Sequence, residues 1–291
     1  MAFSQTFMFV WSKLSAAKWS DAWEERFAGS NDATLVISSF PGRQTIRVEV
    51  YCATEKRAKV IQKEWGGTVR LLKQQNWAAN ASQAPPPVKV REKFVVCTAR
   101  TNAELTKARK EFPNREIIAV PADMAFGTGH HATTATVLRL LVDLAEALNK
   151  SGKPWSMADL GCGSGILAIA ASKLGARRVW GCDYDPAAVR ISKENAERND
   201  TPKVSFTRID VLKWQPKQTW DIVAANIFHD VLEAAFPQLI QSVAPGGVLM
   251  LSGILRTQAK DCLAAGNRAG FVVQKTITKG KWVTALGTVK A

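Results

Sequence analysis

Four short segments of this chain combine residue types and spacings that suit chemistry better than packing alone. The first is Met157-Ala-Asp-Leu-Gly-Cys-Gly-Ser-Gly-Ile-Leu-Ala-Ile-Ala-Ala171, an apolar strand, a glycine loop and an apolar helix. Gly161, Gly163 and Gly165 let the backbone pass close beneath a ligand and turn into the helix. A dinucleotide fingerprint needs its third glycine at position 166, where this chain has Ile166. Asp159, immediately before the loop, would also be an unfavourable neighbour for a pyrophosphate. An acid there suits the cationic amino-acid end of S-adenosylmethionine, directly or through water.

The second segment is Gly181-Cys-Asp-Tyr-Asp185, at the end of the next strand. Asp183 is placed to accept hydrogen bonds from both hydroxyls of a ribose. Asp185-Pro186 reads as an N-cap and first helical position. Asp210, ending a third strand, can face an adenine amino group or cap a turn. The third segment is Ala224-Ala-Asn226-Ile-Phe-His-Asp230. In open α/β sheets ligands bind at the carboxyl ends of the strands, so Asn226 stands at the mouth of the site. Its carbonyl oxygen can orient an acceptor amine, or it can close a turn. The run is not Asn-Pro-Pro-Tyr, which disfavours the amide clamp of adenine and glutamine methylases.

The fourth segment is Met124-Ala-Phe-Gly-Thr-Gly-His-His-Ala-Thr-Thr134. It reads as a flexible loop before a helix that Thr133 or Thr134 can cap. Residues 126–131 are expected to form a lid, with Phe126 and Thr128 against the cofactor. His130 and His131 invite a metal reading, but His229 is the only other histidine and no ligand spacing is present. No metal is expected.

The elements that must position these residues fall into two groups. Strand-like residues 3–11, a helix near 16–27 with Trp19, Trp23 and Phe27 at spacings of four, and strands at 34–39 and 45–51 around the turn 40–43 come first. A helix capped by Thr54 and running through Trp65 follows, then Gly66-Gly67 and a strand at 68–72. The order β-α-β-β-α-β is that of a ferredoxin-like split motif. Pro- and polar-rich residues mark a linker, so the expected domains are 1–74, a linker at 75–92, and 93–291. Strand-like runs at 93–97 and 116–120 lead into the second domain. There, a helix near 134–148 is followed by strands at 156–160, 178–183, 204–209, 220–226 and 247–252, alternating with helical or loop segments. Such alternation implies a parallel sheet with helices on both faces. Residues 271–278 and 282–289 around Lys279-Gly280-Lys281 form a hairpin, so one terminal strand must run antiparallel. A Rossmann-like, seven-stranded α/β sheet closed by such a hairpin is the class I methyltransferase fold.

The bulk properties fit a two-domain globular enzyme of 291 residues. No apolar run approaches the roughly 18 residues that span a bilayer, and no secretory leader is read at the N-terminus. Five scattered cysteines without a Cys-x-x-Cys pair argue against a disulfide framework or zinc knuckle and favour a cytoplasmic home. The net charge of +14 is spread along the chain and leaves attraction to an acidic or RNA-bearing partner open.

With these segments together, the chain resembles the PrmA family, which methylates large-subunit ribosomal protein eleven. The residues that carry the resemblance are Ala125–Thr134, Asp159–Ala171, Asp183-Tyr-Asp-Pro-Ala-Ala188, Ala225-Asn-Ile227 and Pro245–Leu255. They lie between Asn76-Trp77 and the final Trp282-Val283. His130 and Ala132 stand where the family usually has Thr and Pro. The resemblance implies that Thr134, Gly161, Asp183 and Asn226 contact S-adenosylmethionine, and that an N-terminal ferredoxin-like domain holds the ribosomal protein. It implies N-methylation of lysine side chains or the terminal α-amine, by a monomer. Methylation of another protein or a small amine is the alternative, and a non-catalytic RNA-binding relic is a third reading. The glycine loop, Asp183 and Asn226 argue against the relic, which would not need them.

Overall fold

Alternation of apolar side chains with period two and period 3.6 decides which residues each element buries. A computed structural model of the chain describes residues 9–27, 33–39, 44–71, 85–121, 129 and 131–290. It divides into two compact units, Met1–Gln83 and Ala84–Ala291.

In the first unit β1 (Phe9–Ala16) leads through a short 3-10 turn to α1 (Ser20–Phe27). Strands β2 (Ala33–Ser39) and β3 (Thr45–Cys52), helix α2 (Glu55–Trp65) and β4 (Thr68–Leu71) follow. The sheet order is β2-β3-β1-β4, with all neighbours antiparallel, which is the ferredoxin-like arrangement. Ile46, Val48, Val50 and Cys52 point to one face of β3 and are buried with Trp11, Trp23, Ala58 and Ile61. Thr54 caps α2 by accepting from the Arg57 N–H, and Gly66, at φ 67°, ends it.

Two sequence expectations shift here. The first strand runs on to Ala16, past the expected end at residue 11, while residues 3–8 of the expected strand lie outside the described residues. Trp19 falls in the 3-10 turn and is exposed, so only Trp23 and Phe27 of the expected stripe reach the core. The turn 40–43 also lies outside the described residues.

The second unit begins with a small sheet of β5 (Val88–Val90), β6 (Phe94–Cys97) and β7 (Glu116–Ala119), with α3 (Asn102–Glu111) between the last two. The linker expected over 75–92 is therefore corrected at its end. Val88–Val90 pairs antiparallel with β6, and Val90 is fully buried. A capping box starts α3, with Thr101 and Glu104 satisfying each other's backbone N–H groups.

The main sheet is β10-β9-β8-β11-β12-β14-β13. Its strands are β8 (Ser156–Leu160), β9 (Arg178–Asp183), β10 (Val204–Arg208), β11 (Trp220–Asn226), β12 (Val243–Leu255), β13 (Phe271–Lys279) and β14 (Trp282–Val289). From β10 to β12 all pairs are parallel, and β14 lies antiparallel between β12 and β13. Helices α4 (Ala132–Lys150), α5 (Ile166–Lys173) and α6 (Pro186–Arg198) bury one face of the sheet, with Leu138, Leu141, Ile169 and Met157 at its centre. Helices α7 (His229–Gln241) and α8 (Ala259–Ala269) bury the other, around Phe236, Leu239, Val223 and Leu251. The Pro245-Gly246-Gly247 run does not interrupt β12, which extends back to Val243.

Candidate active site

Strand alternation puts the polar residues of the site on one face. Met157 of β8, Val179 of β9, and Ile222 and Ala224 of β11 belong to the core under α4, α5 and α6. Counting by twos along each strand places Asp159, Asp183 and Asn226 on that same face at the carboxyl ends. The register agrees, because Asp159 pairs with Gly181 on one side and Ala224 on the other.

The glycine loop is held from below and from the side. Gly161 and Cys162 both donate their N–H groups to the Cys182 carbonyl, at 2.8 and 2.9 Å. Gly163 donates to Asp183 Oδ2 at 3.0 Å, and Asn195 of α6 donates to the Ser164 carbonyl at 3.0 Å. Gly165 is the N-cap of α5 at φ 78°, and a Cβ there would stand 2.8 Å from Phe206 Cζ and 2.9 Å from Ser192 Cβ. At Gly161, φ is 72° and a Cβ would run into Ile227 Cγ2. Both positions therefore require glycine for backbone and packing reasons together.

Asp159 is buried, and its Oδ2 accepts from the Ala168 N–H of α5 at 3.3 Å. Its Oδ1 has no hydrogen-bond partner among the described residues. Burial pushes its carboxyl up to about 7, the nearby charge of Asp183 adds to this, and the Ala168 amide opposes it. A buried carboxylate oxygen without a donor fits a cationic ligand group. Asp183 accepts from the Gly163 and Asp185 N–H groups, one on each oxygen, which leaves lone pairs for further donors.

Asn226 donates from Nδ2 to Thr134 Oγ1 at 3.3 Å, while its Oδ1 is buried without a partner among the described residues. That bond orients the amide so that its carbonyl end is the unsatisfied one. Thr134 therefore serves as an anchor for Asn226. The expectation that Thr133 or Thr134 caps α4 is corrected: the N-cap is His131, and no side chain caps it. Thr133 instead bonds to His131 Nδ1 at 2.6 Å, and the His131 ring meets the edge of Trp282 with centroids 4.9 Å apart. Burial lowers the His131 pKa, and Lys281 lowers it further.

Asp210 accepts from the Leu212 N–H at 3.0 Å and pairs with Lys213 at 3.7 Å. Of its two expected roles, the structure shows the turn cap. Phe126, Thr128 and His130 lie outside the described residues, as does most of the expected lid. Among the described residues, no three His, Cys, Asp or Glu side chains converge as metal ligands would. Ile227, part of the Ala225-Asn-Ile227 run that carries the resemblance but given no role of its own by the sequence, fills the space above Gly161. Its signal was position alone, between Asn226 and the exposed Phe228.

A parallel sheet closed by an antiparallel hairpin, with a glycine loop after β8 and acids at the carboxyl ends of β8 and β9, defines a class I S-adenosylmethionine-dependent methyltransferase. The profile of the family described as ribosomal protein L11 methyltransferase (PrmA) matches residues 12–290, and the chain belongs to that family. A ribosomal protein L11 methyltransferase from Pelotomaculum thermopropionicum is 36% identical over 225 residues, covering 77% of this chain and 69% of that one. One from Allorhizobium ampelinum is also 36% identical, over 216 residues, covering 72% and 70%. Among solved structures, the ribosomal protein L11 methylase of Lactobacillus delbrueckii subsp. bulgaricus superposes with a TM-score of 0.59 at 26% identity. That superposition covers 70% of this chain and 99% of the other. The family match reaches back into the first unit, beyond the motifs at 76–283 that carried the resemblance.

Proposed function

We propose that this chain N-methylates amines of large-subunit ribosomal protein eleven. The observation that carries this reading is the buried, unpartnered Oδ1 of Asn226, on an amide oriented by Thr134. S-adenosylmethionine, when bound, supplies a methyl group already activated on a sulfonium. The unpartnered Asp159 Oδ1 fits its ammonium end, directly or through water, and Asp183 fits its ribose hydroxyls. The loop of Gly161, Gly163 and Gly165 brings backbone beneath it.

The work left to the chain is positioning and exclusion of water. Asn226 Oδ1 accepts an N–H of the acceptor amine and so directs its lone pair. An amine with an ordinary pKa of about 10.4 (lysine) or about 8 (α-amine) must first lose a proton. Transfer into a dry site lowers an amine's pKa and favours the neutral form. No general base is required. The Phe126–His131 segment is our candidate for the lid.

The first unit is our candidate for holding the ribosomal protein, supported by its ferredoxin-like sheet and by the reach of the family match. We read the enzyme as a cytoplasmic monomer; for the compartment, none of its five cysteines is in a disulfide, as a reducing environment leaves them. The net charge of +14 supports contact with ribosomal RNA during substrate encounter.

Labelled S-adenosylmethionine incubated with the enzyme and a ribosomal protein extract tests the reading. A single labelled band at ribosomal protein eleven is expected; label only on another acceptor, or no transfer, would overturn it. Asn226→Ala should lower kcat about 100-fold with little change in cofactor affinity.

A further inference from the structure

Helix α4 begins with a residue poorly suited to starting a helix. His131 is its N-cap and makes no side-chain capping bond, although Ser, Asp or Asn there would satisfy a free helix N–H. The imidazole is engaged elsewhere. Its Nδ1 shares a 2.6 Å hydrogen bond with the buried Thr133 hydroxyl, and its ring meets Trp282 at 70°, centroids 4.9 Å apart. Edge-on contact is a preferred aromatic geometry. Trp282 opens β14, directly after the Gly280-Lys281 turn, and pairs with Leu255 of β12. The entry to α4 is held on a second side as well. Gly129, at φ 82°, lies so close to β6 that a Cβ would stand 2.9 Å from Val96 Cγ1.

These contacts end one residue before the hydroxyl that the site uses. Thr134 follows Thr133 in the first turn of α4, and its Oγ1 accepts from Asn226 Nδ2 at 3.3 Å. Successive helical side chains point about 100° apart, so Thr133 can serve the hairpin side while Thr134 serves β11. Sharing one turn of helix, the two move together. On the reading above that Asn226 orients the acceptor, we propose that His131 and Trp282 are positioning residues for the methyl transfer. Together they tie the start of α4 to the C-terminal hairpin and so set the Thr134 hydroxyl that aims the Asn226 amide. Neither needs to touch substrate or cofactor for this. Displacement of about 1 Å can cost about 100-fold in rate. Because the tie acts through Thr134, releasing it should cost about as much as losing the Thr134 hydrogen bond, about tenfold.

His131→Ser and Trp282→Ala, made singly, together, and each in a Thr134→Val background, test the proposal. Serine installs a good N-cap while removing the ring, so stability and turnover should part. His131→Ser should unfold at the same or higher denaturant concentration, yet its kcat should fall about tenfold. Trp282→Ala should lower kcat to a similar extent, and Trp282→Phe should restore most of it. In each single variant, S-adenosylhomocysteine affinity and the KM for the ribosomal protein should change little. The double variant should be no slower than either single one, and neither substitution should lower kcat further once Thr134 is valine. Wild-type kcat in His131→Ser, losses that multiply in the double variant or in the Thr134→Val background, or an effect confined to KM would overturn the proposal. Full turnover by Asn226→Ala, measured first, would instead remove the reading on which it rests.

Discussion

Changing the pH between 5.5 and 7.5 should alter cofactor affinity through one carboxyl group. Asp159 is buried, its Oδ1 has no donor, and burial pushes its carboxyl up to about 7. A cationic ligand group needs the ionised form. At pH 5.5 only about 3% of Asp159 is ionised and at pH 7.5 about 75%, so the apparent Kd should tighten about 25-fold across this interval. The sign for the unliganded fold is opposite. A carboxyl raised above its unfolded value near 3.9 contributes stability that is complete below about pH 4 and lost as pH rises through about 7. Calorimetry of S-adenosylhomocysteine binding at pH 6, in two buffers of different ionisation enthalpy, should show release of about 0.9 proton per site. Asp159→Asn should abolish both the proton release and the pH dependence. A Kd independent of pH with no proton release in the wild-type protein would refute the assignment of Asp159 to the cofactor's ammonium.

The packing of the loop and the orientation of Asn226 make further predictions. Gly161→Ala should destabilise the fold by roughly 1–2 kcal/mol through its left-handed backbone alone, with the Ile227 clash added. Adding Ile227→Ala should recover the clash but not the backbone strain, which a double-mutant cycle in urea would resolve; simple additivity would show that the two do not touch. Thr134→Val removes the acceptor of Asn226 Nδ2 and should lower kcat/KM about tenfold, with Thr134→Ser close to wild type. Equal activity of Val and Ser variants would show that Asn226 needs no anchor.

The main sheet was legible in the sequence because its strands are short apolar runs between turn residues, and strands 156–160 and 220–226 appear at those bounds. The first strand was harder to place. Aromatic residues recur from Phe3 to Trp11, and nothing local marks where pairing begins. The register is set by β3, which pairs Phe9 with Cys52 and Ala16 with Thr45. Val88–Val90 was hidden among linker-like residues for a similar reason: its hydrogen-bond partners in β6 appear only on folding.

By itself, the sequence determined the cofactor class, since Ile166 after Gly165 excludes a dinucleotide loop and Asp159 and Asp183 carry the matching acids. These are properties of residue type and local spacing, which survive without tertiary contacts. Tertiary structure alone decided what each polar atom does. Thr134 looked like a helix cap and became the anchor of Asn226, 92 residues away in the chain. Asp210 closes its own turn through the Leu212 N–H, a bond that its place at the end of a strand left open. Ile227 gained its role from glycines in two other segments. Hydrogen bonds and close approach depend on where the chain returns in space, and a local pattern does not carry that information.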